Sequence, residues 1–340
     1  MGSPCETSLL YFYFDDHSSA QLSETIKRAV NQTTRRLIIV LVSPEFDHNR
    51  HGLLASKWDW IQNTLVLAYV PAAYAAEARD DPLFNTDVIL VPDADQAAQH
   101  LFQEKWDVVF TLEGVSAPKV LVNTPHQIAS LPAIPNTQDS TVRPLKLVMK
   151  EGEPKIYPVS VLGGTFDYLH PGHKILLSMA AWITTSKLIV GVTDDALLSK
   201  KANKQYIQPI AERTASVTSF VRMFKPSIEC DAVPIQDVYG PTAWEPNIQA
   251  LVVSRETLGG ASSVAQLRAE RSLPALDLFV IDVISSSSVV LPEQDTAVLR
   301  NSKLSSTHIR EWLAQRGGHS SPAGSNSRAS QIIFTLNDEQ

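Results

Sequence analysis

The chain has 340 residues, of which 44% are hydrophobic and 19% charged, which is the composition of an ordinary folded protein with room for two domains. Its net charge of −7 argues against a general nucleic-acid binder, and no apolar run approaches the roughly 20 residues of a membrane helix. The two cysteines, Cys5 and Cys230, exclude a disulfide framework and a structural zinc site. Residues 1–16 lack the features of a signal or transit peptide, so we expect a cytoplasmic protein and leave nuclear access open.

Residues 1–128 alternate between short apolar segments and amphipathic ones. Strands are predicted at 9–13, 37–42, 65–70, 88–91 and 108–111, and helices at 19–30 and 94–105. Short strands rich in Val, Ile and Leu are typical of a parallel sheet that is buried on both faces. We therefore predict an α/β accessory domain for stability, oligomerisation or docking, and we interpret His48 and His51 as surface loop residues.

The middle of the chain has a different character. Prolines interrupt residues 129–155, which we predict to be a linker with one short strand candidate at 145–149. A second α/β domain is predicted over 156–316, with strands at 156–162, 187–193, 228–235, 250–254 and 278–283. Its helices are predicted at 172–183, 210–224, 261–271 and 305–314. An irregular insertion begins at 285–288, and the tail at 317–340 is predicted to be disordered.

The segment GGTFDYLHPGH at 163–173 concentrates glycine, histidine, proline and aspartate directly after a predicted strand. In an open parallel sheet, ligands bind at that end of a strand. Gly163 and Gly164 allow a tight turn and a close ligand, and Pro171 suits the first turn of the next helix. His173 therefore lies where free N–H groups and the positive helix end favour phosphate.

Two other interpretations of this segment remain open from the residues alone. His170 and His173 have a spacing that metal ligands use, but no third ligand is evident. The histidines would otherwise simply cap or pack a strand-to-helix turn.

The segment resembles the HxGH signature of the nucleotidyltransferase superfamily. Within it, VLGGTFDYLHPGHKILL is similar to the phosphopantetheine adenylyltransferases of eukaryotes and archaea. Further matches follow in order: GVTDDALLSKK, QPIAERTASVTSFV, PIQDVYGPT, LVVSRETLGGA and KLSSTHIREWL. The resemblance covers about residues 156–316. It implies a Rossmann-like domain that uses ATP and 4′-phosphopantetheine to make dephospho-coenzyme A and pyrophosphate.

The resemblance also implies roles for individual residues. Thr165 would orient the attacking phosphate, His173 would stabilise the α-phosphate, and His170 would contact nucleotide phosphates. A lysine would hold the pantetheine phosphate, and we favour Lys200 over its neighbour Lys201. Outside the motif, such paired lysines are usually just solvated.

Other predicted binding residues flank the turn or follow later strands. They are Gly163, Gly164, Phe166, Asp167, Arg255, Ser305, Ser306, Thr307 and Arg310. The SSTxxR segment could alternatively be an ordinary N-cap followed by a surface arginine. Arg255 could equally pair with Glu256 or face solvent. Arg213 is predicted to be structural. Mg²⁺ is expected to enter with ATP, with phosphates and water as its main ligands and no metal site of the protein's own.

Parts of the sequence also resemble motifs of three other functions. Class I aminoacyl-tRNA synthetases use HIGH and KMSKS motifs, but this chain is acidic and short for that class. A cytidylyltransferase acting on choline or ethanolamine phosphate would carry an RTEGISTS-like element, where this chain has RNSKLSSTHIR. The third rival is a catalytically weak scaffold. Because no GxxxxGK[ST] segment occurs, we expect a monofunctional enzyme, with dephospho-coenzyme A kinase as a separate partner and homo-oligomerisation left open.

Overall fold

The computed structural model describes residues 5–15, 17–101, 104–121, 127–133, 145, 147, 155–281 and 305–317. The first half contains the elements β1 (Cys5–Tyr13), α1 (Ser19–Asn31), β2 (Thr33–Val42), α2 (Trp58–Glu77), β3 (Asn85–Val91), α3 (Ala94–Leu101), β4 (Val108–Leu112) and β5 (Gln127–Leu131). The strands predicted at 9–13, 37–42, 88–91 and 108–111 and both predicted helices are confirmed, although the helix predicted at 94–105 ends at Leu101. The α/β fold class is therefore confirmed for this half.

The strand predicted at 65–70 is wrong, because these residues form the middle of α2. The segment is continuously apolar, and such a run cannot be assigned to strand or helix by periodicity alone. Nearly every residue of α2 is buried, since the helix contacts α1 on one side and a helix of the second half on the other. A helix surrounded by protein needs no polar face.

The second half follows the predicted order closely. Its elements are β6 (Tyr157–Gly164), α4 (Pro171–Ile183), β7 (Thr184–Thr193), α5 (Ile210–Phe224), β8 (Glu229–Ile235), β9 (Ala250–Ser254), α6 (Leu258–Glu270), β10 (Asp277–Ile281) and α7 (Ser306–Gly317). The predicted insertion at 285–288 and nearly all of the predicted tail lie outside the described residues.

Both sheets have the same topology. Within the described residues, the first sheet has the strand order β3-β2-β1-β4-β5 and the second has β8-β7-β6-β9-β10, with every observed pairing parallel. The strand order reverses at β6, whose neighbours are β7 and β9. The carboxyl end of β6 is therefore the switch point at which open α/β sheets bind ligands.

The two halves share one hydrophobic core. Helix α4 packs on α2, and the buried Trp182 of α4 donates its indole N–H to the carbonyl of Leu54 at 2.8 Å. His48 is buried against Trp182, with ring centroids 4.7 Å apart, so its interpretation as a surface residue is wrong. Its loop is covered by the second half, which the local sequence does not show.

The predicted linker overlaps elements of the fold. Strand β5 (Gln127–Leu131) crosses the boundary predicted after residue 128, and it pairs with β4 throughout its length. Leu145 is buried, and its carbonyl lies 3.4 Å from the indole nitrogen of Trp60. Most of the remaining predicted linker lies outside the described residues.

Among the helices described here, none combines the length and the apolar character needed to cross a bilayer.

Candidate active site

The GGTFDYLHPGH segment forms the turn from β6 into α4 at the switch point of the second sheet. Two large residues of this turn have left-handed backbone angles, with φ of 51° at Phe166 and 45° at Tyr168. Such conformations cost about 1–3 kcal/mol each and persist only where the surroundings impose them. Gly164 lies close to an aromatic ring: an added Cβ would be 3.1 Å from the Phe166 ring, which would have to shift by a few tenths of an ångström.

Asp167 stabilises this strained turn through hydrogen bonds to residues of two other segments. It is fully buried; its Oδ1 accepts the backbone N–H of Gln208 at 3.0 Å, and its Oδ2 accepts Arg310 Nη1 at 2.6 Å. The Asp167 carbonyl accepts the Ser306 hydroxyl at 2.9 Å. These bonds attach the start of α7 to the turn between β6 and α4, so two helix N-termini are fixed next to each other.

Arg310, which the resemblance predicts to bind phosphate, makes its contacts with other residues of the protein. Its side chain is only 2% exposed, and it also donates to the Ala202 carbonyl at 3.2 Å and to the Thr307 hydroxyl at 3.3 Å. These partners connect the Arg310 guanidinium to the turn and to the start of α7. We therefore describe Arg310 as a positioning residue.

The two motif histidines lie side by side at the start of α4. The rings of His170 and His173 are stacked with centroids 3.8 Å apart, and the Phe166 ring lies 5.2 Å from that of His173. Burial, with smaller effects of Lys174 and Arg310, lowers the pKa of His170 to about 3. Burial likewise holds the pKa of His173 well below its usual range.

Both imidazoles are therefore neutral at pH 7, and each then has one donor and one acceptor nitrogen. The Nδ1 atoms of His170 and His173 are buried and have no hydrogen-bond partner among the described residues. Buried polar atoms are normally satisfied, so these two fit a site that a ligand completes. The N-terminus of α4 adds free backbone N–H groups that favour an anion.

Thr165 has Lys201, and not Lys200, as its cationic neighbour. The Nζ of Lys201 lies 3.4 Å from the Thr165 hydroxyl, and burial lowers the pKa of this lysine. Lys200 is exposed and makes no hydrogen bond or ion pair with another residue in the described part of the chain. Of the two lysines, Lys201 therefore contacts Thr165, and Lys200, which the sequence analysis favours, has no such contact among the described residues.

Arg213 joins the loops around Thr165, in agreement with its predicted structural role. It is fully buried and donates to the carbonyls of Thr165 at 2.7 Å, Thr193 at 2.8 Å and Gln208 at 2.9 Å. It also forms an ion pair with Asp195 at 2.5 Å. Three separate loops thus have one common hydrogen-bond donor beneath the site.

The hydroxyls at the start of α7 are already engaged. Ser305 Oγ accepts the backbone N–H of His308 at 3.3 Å, as an N-cap does, and Ser306 Oγ binds the turn as described above. Only Thr307 has an exposed side chain, and its hydroxyl accepts Arg310. Backbone N–H groups are therefore better placed than the serine hydroxyls to bind phosphate here.

Two further predicted residues lie at the same edge of the sheet. Arg255 is exposed and follows β9 directly. Gly163 is exposed, and an added Cβ there would meet only ordinary contacts at 3.7 Å, so its packing does not require glycine. Because Gly163 has no side chain, a ligand can approach the backbone closely at this position.

Sequence reasoning missed the part that the first half plays in this site. Lys174, directly after His173, forms an ion pair with Asp87 of β3 at 2.7 Å. On α7, the Nε2 of His308 lies 2.9 Å from Glu77 at the end of α2. These partners are 87 and 231 residues apart in the chain, and no local pattern predicts such contacts.

The parallel sheet, the HPGH turn at its switch point and the adjoining start of α7 define a nucleotidyltransferase domain of the HxGH type. A family model described as cytidylyltransferase-like matches residues 161–312. The chain is 34% identical to a phosphopantetheine adenylyltransferase of Pyrobaculum aerophilum, over 45% of this chain and 90% of that protein. The chain belongs to the phosphopantetheine adenylyltransferase family.

Two longer relatives match as well. The chain is 43% identical to the phosphopantetheine adenylyltransferase of Saccharomyces cerevisiae, over 46% of this chain and 49% of that protein. It is 39% identical to an uncharacterized protein of Schizosaccharomyces pombe, over 58% of each chain. The matched segments therefore span only about half the length of these two relatives.

Proposed function

We propose that this chain transfers the adenylyl group of ATP to 4′-phosphopantetheine, giving dephospho-coenzyme A and pyrophosphate in coenzyme A biosynthesis. The observation that carries the proposal is the pair of neutral, stacked imidazoles at the start of α4, each with a buried Nδ1 that no described residue satisfies. Two of the relatives above are named phosphopantetheine adenylyltransferases, which supports this choice of substrates.

The reaction requires alignment more than acid–base chemistry. The nucleophile is a phosphate anion, so no strong base has to remove a proton. One of its oxygens forms a bond to the α-phosphorus of ATP, the bond from that phosphorus to the bridging oxygen breaks, and pyrophosphate leaves. Donors that are fixed around the α-phosphate before the reaction stabilise the charge that develops there.

Each part of the site has a role in this scheme. The imidazole of His173 and the N-terminus of α4 would hold the α-phosphate, with His170 next to it on the nucleotide phosphates. Lys201 and the hydroxyl of Thr165 would hold the phosphate of the incoming phosphopantetheine. The backbone at the start of α7 would bind the leaving pyrophosphate, and Arg255 would add positive charge at the neighbouring strand end.

Mg²⁺ would enter with ATP. In the part of the chain that the structure describes, no group of three or more His, Cys, Asp or Glu side chains forms a metal cluster. Phosphate oxygens and water would then supply most ligands, as Mg²⁺ readily accepts. We further propose that a separate dephospho-coenzyme A kinase carries out the following step. That kinase and a second copy of this chain are candidate partners.

The proposal is tested by the reverse reaction, in which ATP is formed from dephospho-coenzyme A and pyrophosphate. The wild type should form ATP, and His173→Asn should lower the rate about 10²–10³-fold, since one transition-state contact is removed. The exposed His51→Asn, in the first half, is the matched control and should retain the wild-type rate. Absence of wild-type turnover, or a His173→Asn variant as active as the control, would refute the proposal.

A further inference from the structure

The first half of the chain supplies the three hydrogen-bond acceptors that the described residues offer to the Lys174 ammonium on helix α4. Lys174 follows His173, its side chain is only 5% exposed, and its Nζ donates to Asn85 Oδ1, to the Thr86 carbonyl at 2.8 Å and to Asp87 Oδ1 at 2.7 Å. All three acceptors belong to the start of β3. The residue next to a site histidine is therefore held by the other sheet.

The acceptor side of this contact is itself fixed. Asp87 is buried, and its second oxygen accepts Arg36 at 2.7 Å, which also pairs with Glu104 at 2.5 Å. Burial acts to raise the pKa of the Asp87 carboxyl, but Lys174 and Arg36 together outweigh it, and the net effect is a lowered pKa. A buried carboxylate with two cationic partners has little freedom to move.

The first half also holds helix α7. His308 lies 2.9 Å from Glu77, and one turn further the indole N–H of Trp312 donates to Asp80 Oδ1 at 2.7 Å. Arg316 adds an ion pair with the other oxygen of Asp80. The two helices whose N-termini meet at the site are thus both attached to the segment between the end of α2 and the start of β3.

Polar contacts add to the core packing of Ile175 and Leu177 at the start of α4. A cleft of about 590 Å³ lies between the halves behind the HPGH turn, and its walls include Asp87, Tyr168, His170 and Lys174. Lys174 lines this cleft, and its hydrogen bonds to Thr86 and Asp87 connect the first turn of α4 to the start of β3. A displacement of the reacting groups by 1 Å can cost about 10²-fold in rate.

We propose that the first half is a positioning unit of the active site. Asp87 positions His170 and His173 through its ion pair with Lys174. Glu77 positions helix α7 through its contact with His308. The inference deepens the proposed adenylyl transfer and rests on it for its kinetic consequences. The geometric consequence is independent of the reaction, because it concerns where two imidazoles lie in the unliganded protein.

The test replaces Asp87 by Asn in the full chain and compares kinetics with unfolding. Asp87→Asn should lower kcat about 10–10²-fold with little change of the KM for ATP, because the lost alignment matters most in the transition state. Val40→Ala, which opens a space in the centre of the first sheet, is the control for instability. It should lower the melting temperature while leaving kcat of the folded enzyme unchanged.

A second variant covers the outcome in which Asp87→Asn does not fold. The double variant with Asp87→Asn and Lys174→Met removes both charges, so no unpaired buried cation remains. It should recover the melting temperature of the wild type to within a few degrees and still show the lowered kcat. A double variant with wild-type kcat would overturn the inference.

The geometric consequence is measured without substrate, from the imidazole NMR signals of His170 and His173. Asp87→Asn should shift these signals, and Val40→Ala should not. Unchanged signals together with an unchanged kcat in Asp87→Asn would overturn the positioning role. If Asp87→Asn shifts these signals but the wild type makes no dephospho-coenzyme A, the proposed reaction is refuted and the positioning role stands.

Discussion

The buried pair of Arg310 and Asp167 makes the strongest quantitative prediction. Arg310→Gln removes the only cation bonded to this carboxylate among the described residues, while Asp167 stays fully buried between Gln208 and the start of α7. Loss of one partner from a buried ion pair typically costs about 3–5 kcal/mol, since the other charge is left without compensation. The variant should therefore be markedly less stable than the wild type.

Urea unfolding followed by circular dichroism measures this loss. Arg316→Gln, on the same helix, is the matched control, because its ion pair with Asp80 is exposed and exposed pairs contribute little to stability. In the folded Arg310→Gln enzyme, the KM for ATP should rise as well, since the start of α7 is no longer attached through Asp167. A variant as stable as the wild type, with only a raised KM, would show that the guanidinium binds substrate directly and would refute the internal role.

Three further predictions concern single residues of the turn and its neighbours. Lys201→Ala should raise the KM for phosphopantetheine about 10–10²-fold in steady-state assays, because it removes one charge-assisted contact worth about 1.5–3 kcal/mol. Lys200→Ala should change this KM little. Equal effects of the two substitutions would contradict the proposed role of Lys201. The unfolded chain binds a proton at His170 near pH 6.5, whereas the folded chain binds it only near pH 3. Between these two pH values, the contribution of this residue to the free energy of unfolding should therefore fall by about 1.4 kcal/mol for each unit that the pH drops. His170→Asn should remove that part of the slope in urea titrations at several pH values, and an unchanged slope would contradict the buried neutral state. Gly164→Ala should cost about 1–3 kcal/mol in the same unfolding assay, because its methyl group would press on an aromatic ring at 3.1 Å; a neutral effect would mean that the turn relaxes freely.

Local patterns were sufficient for the elements that carry the chemistry. The strand 156–162, the HPGH turn and the helix after it were predicted from residue types alone, because glycine, proline and an amphipathic run each constrain the backbone directly. The strand predicted at 65–70 is wrong, because these residues are buried on one side by α1 and on the other by α4, and a local window contains neither helix.

The arrangement of charges was less accessible to sequence reasoning. Lys200 and Lys201 are adjacent in a loop, and only the fold decides which one turns toward Thr165. Arg310 follows the SST segment as a phosphate ligand would, but its partner Asp167 is 143 residues away. The contact of Lys174 with Asp87 likewise joins the two halves, and pairing of distant buried charges leaves no periodic signal in either segment.

The most direct test of the central claim is a forward reaction with two nucleotides and two acceptors, followed by mass spectrometry. ATP and CTP are each offered together with 4′-phosphopantetheine and choline phosphate. The account predicts dephospho-coenzyme A, formed from ATP and phosphopantetheine, as the main product. Formation of CDP-choline, or no product from any combination, would contradict it.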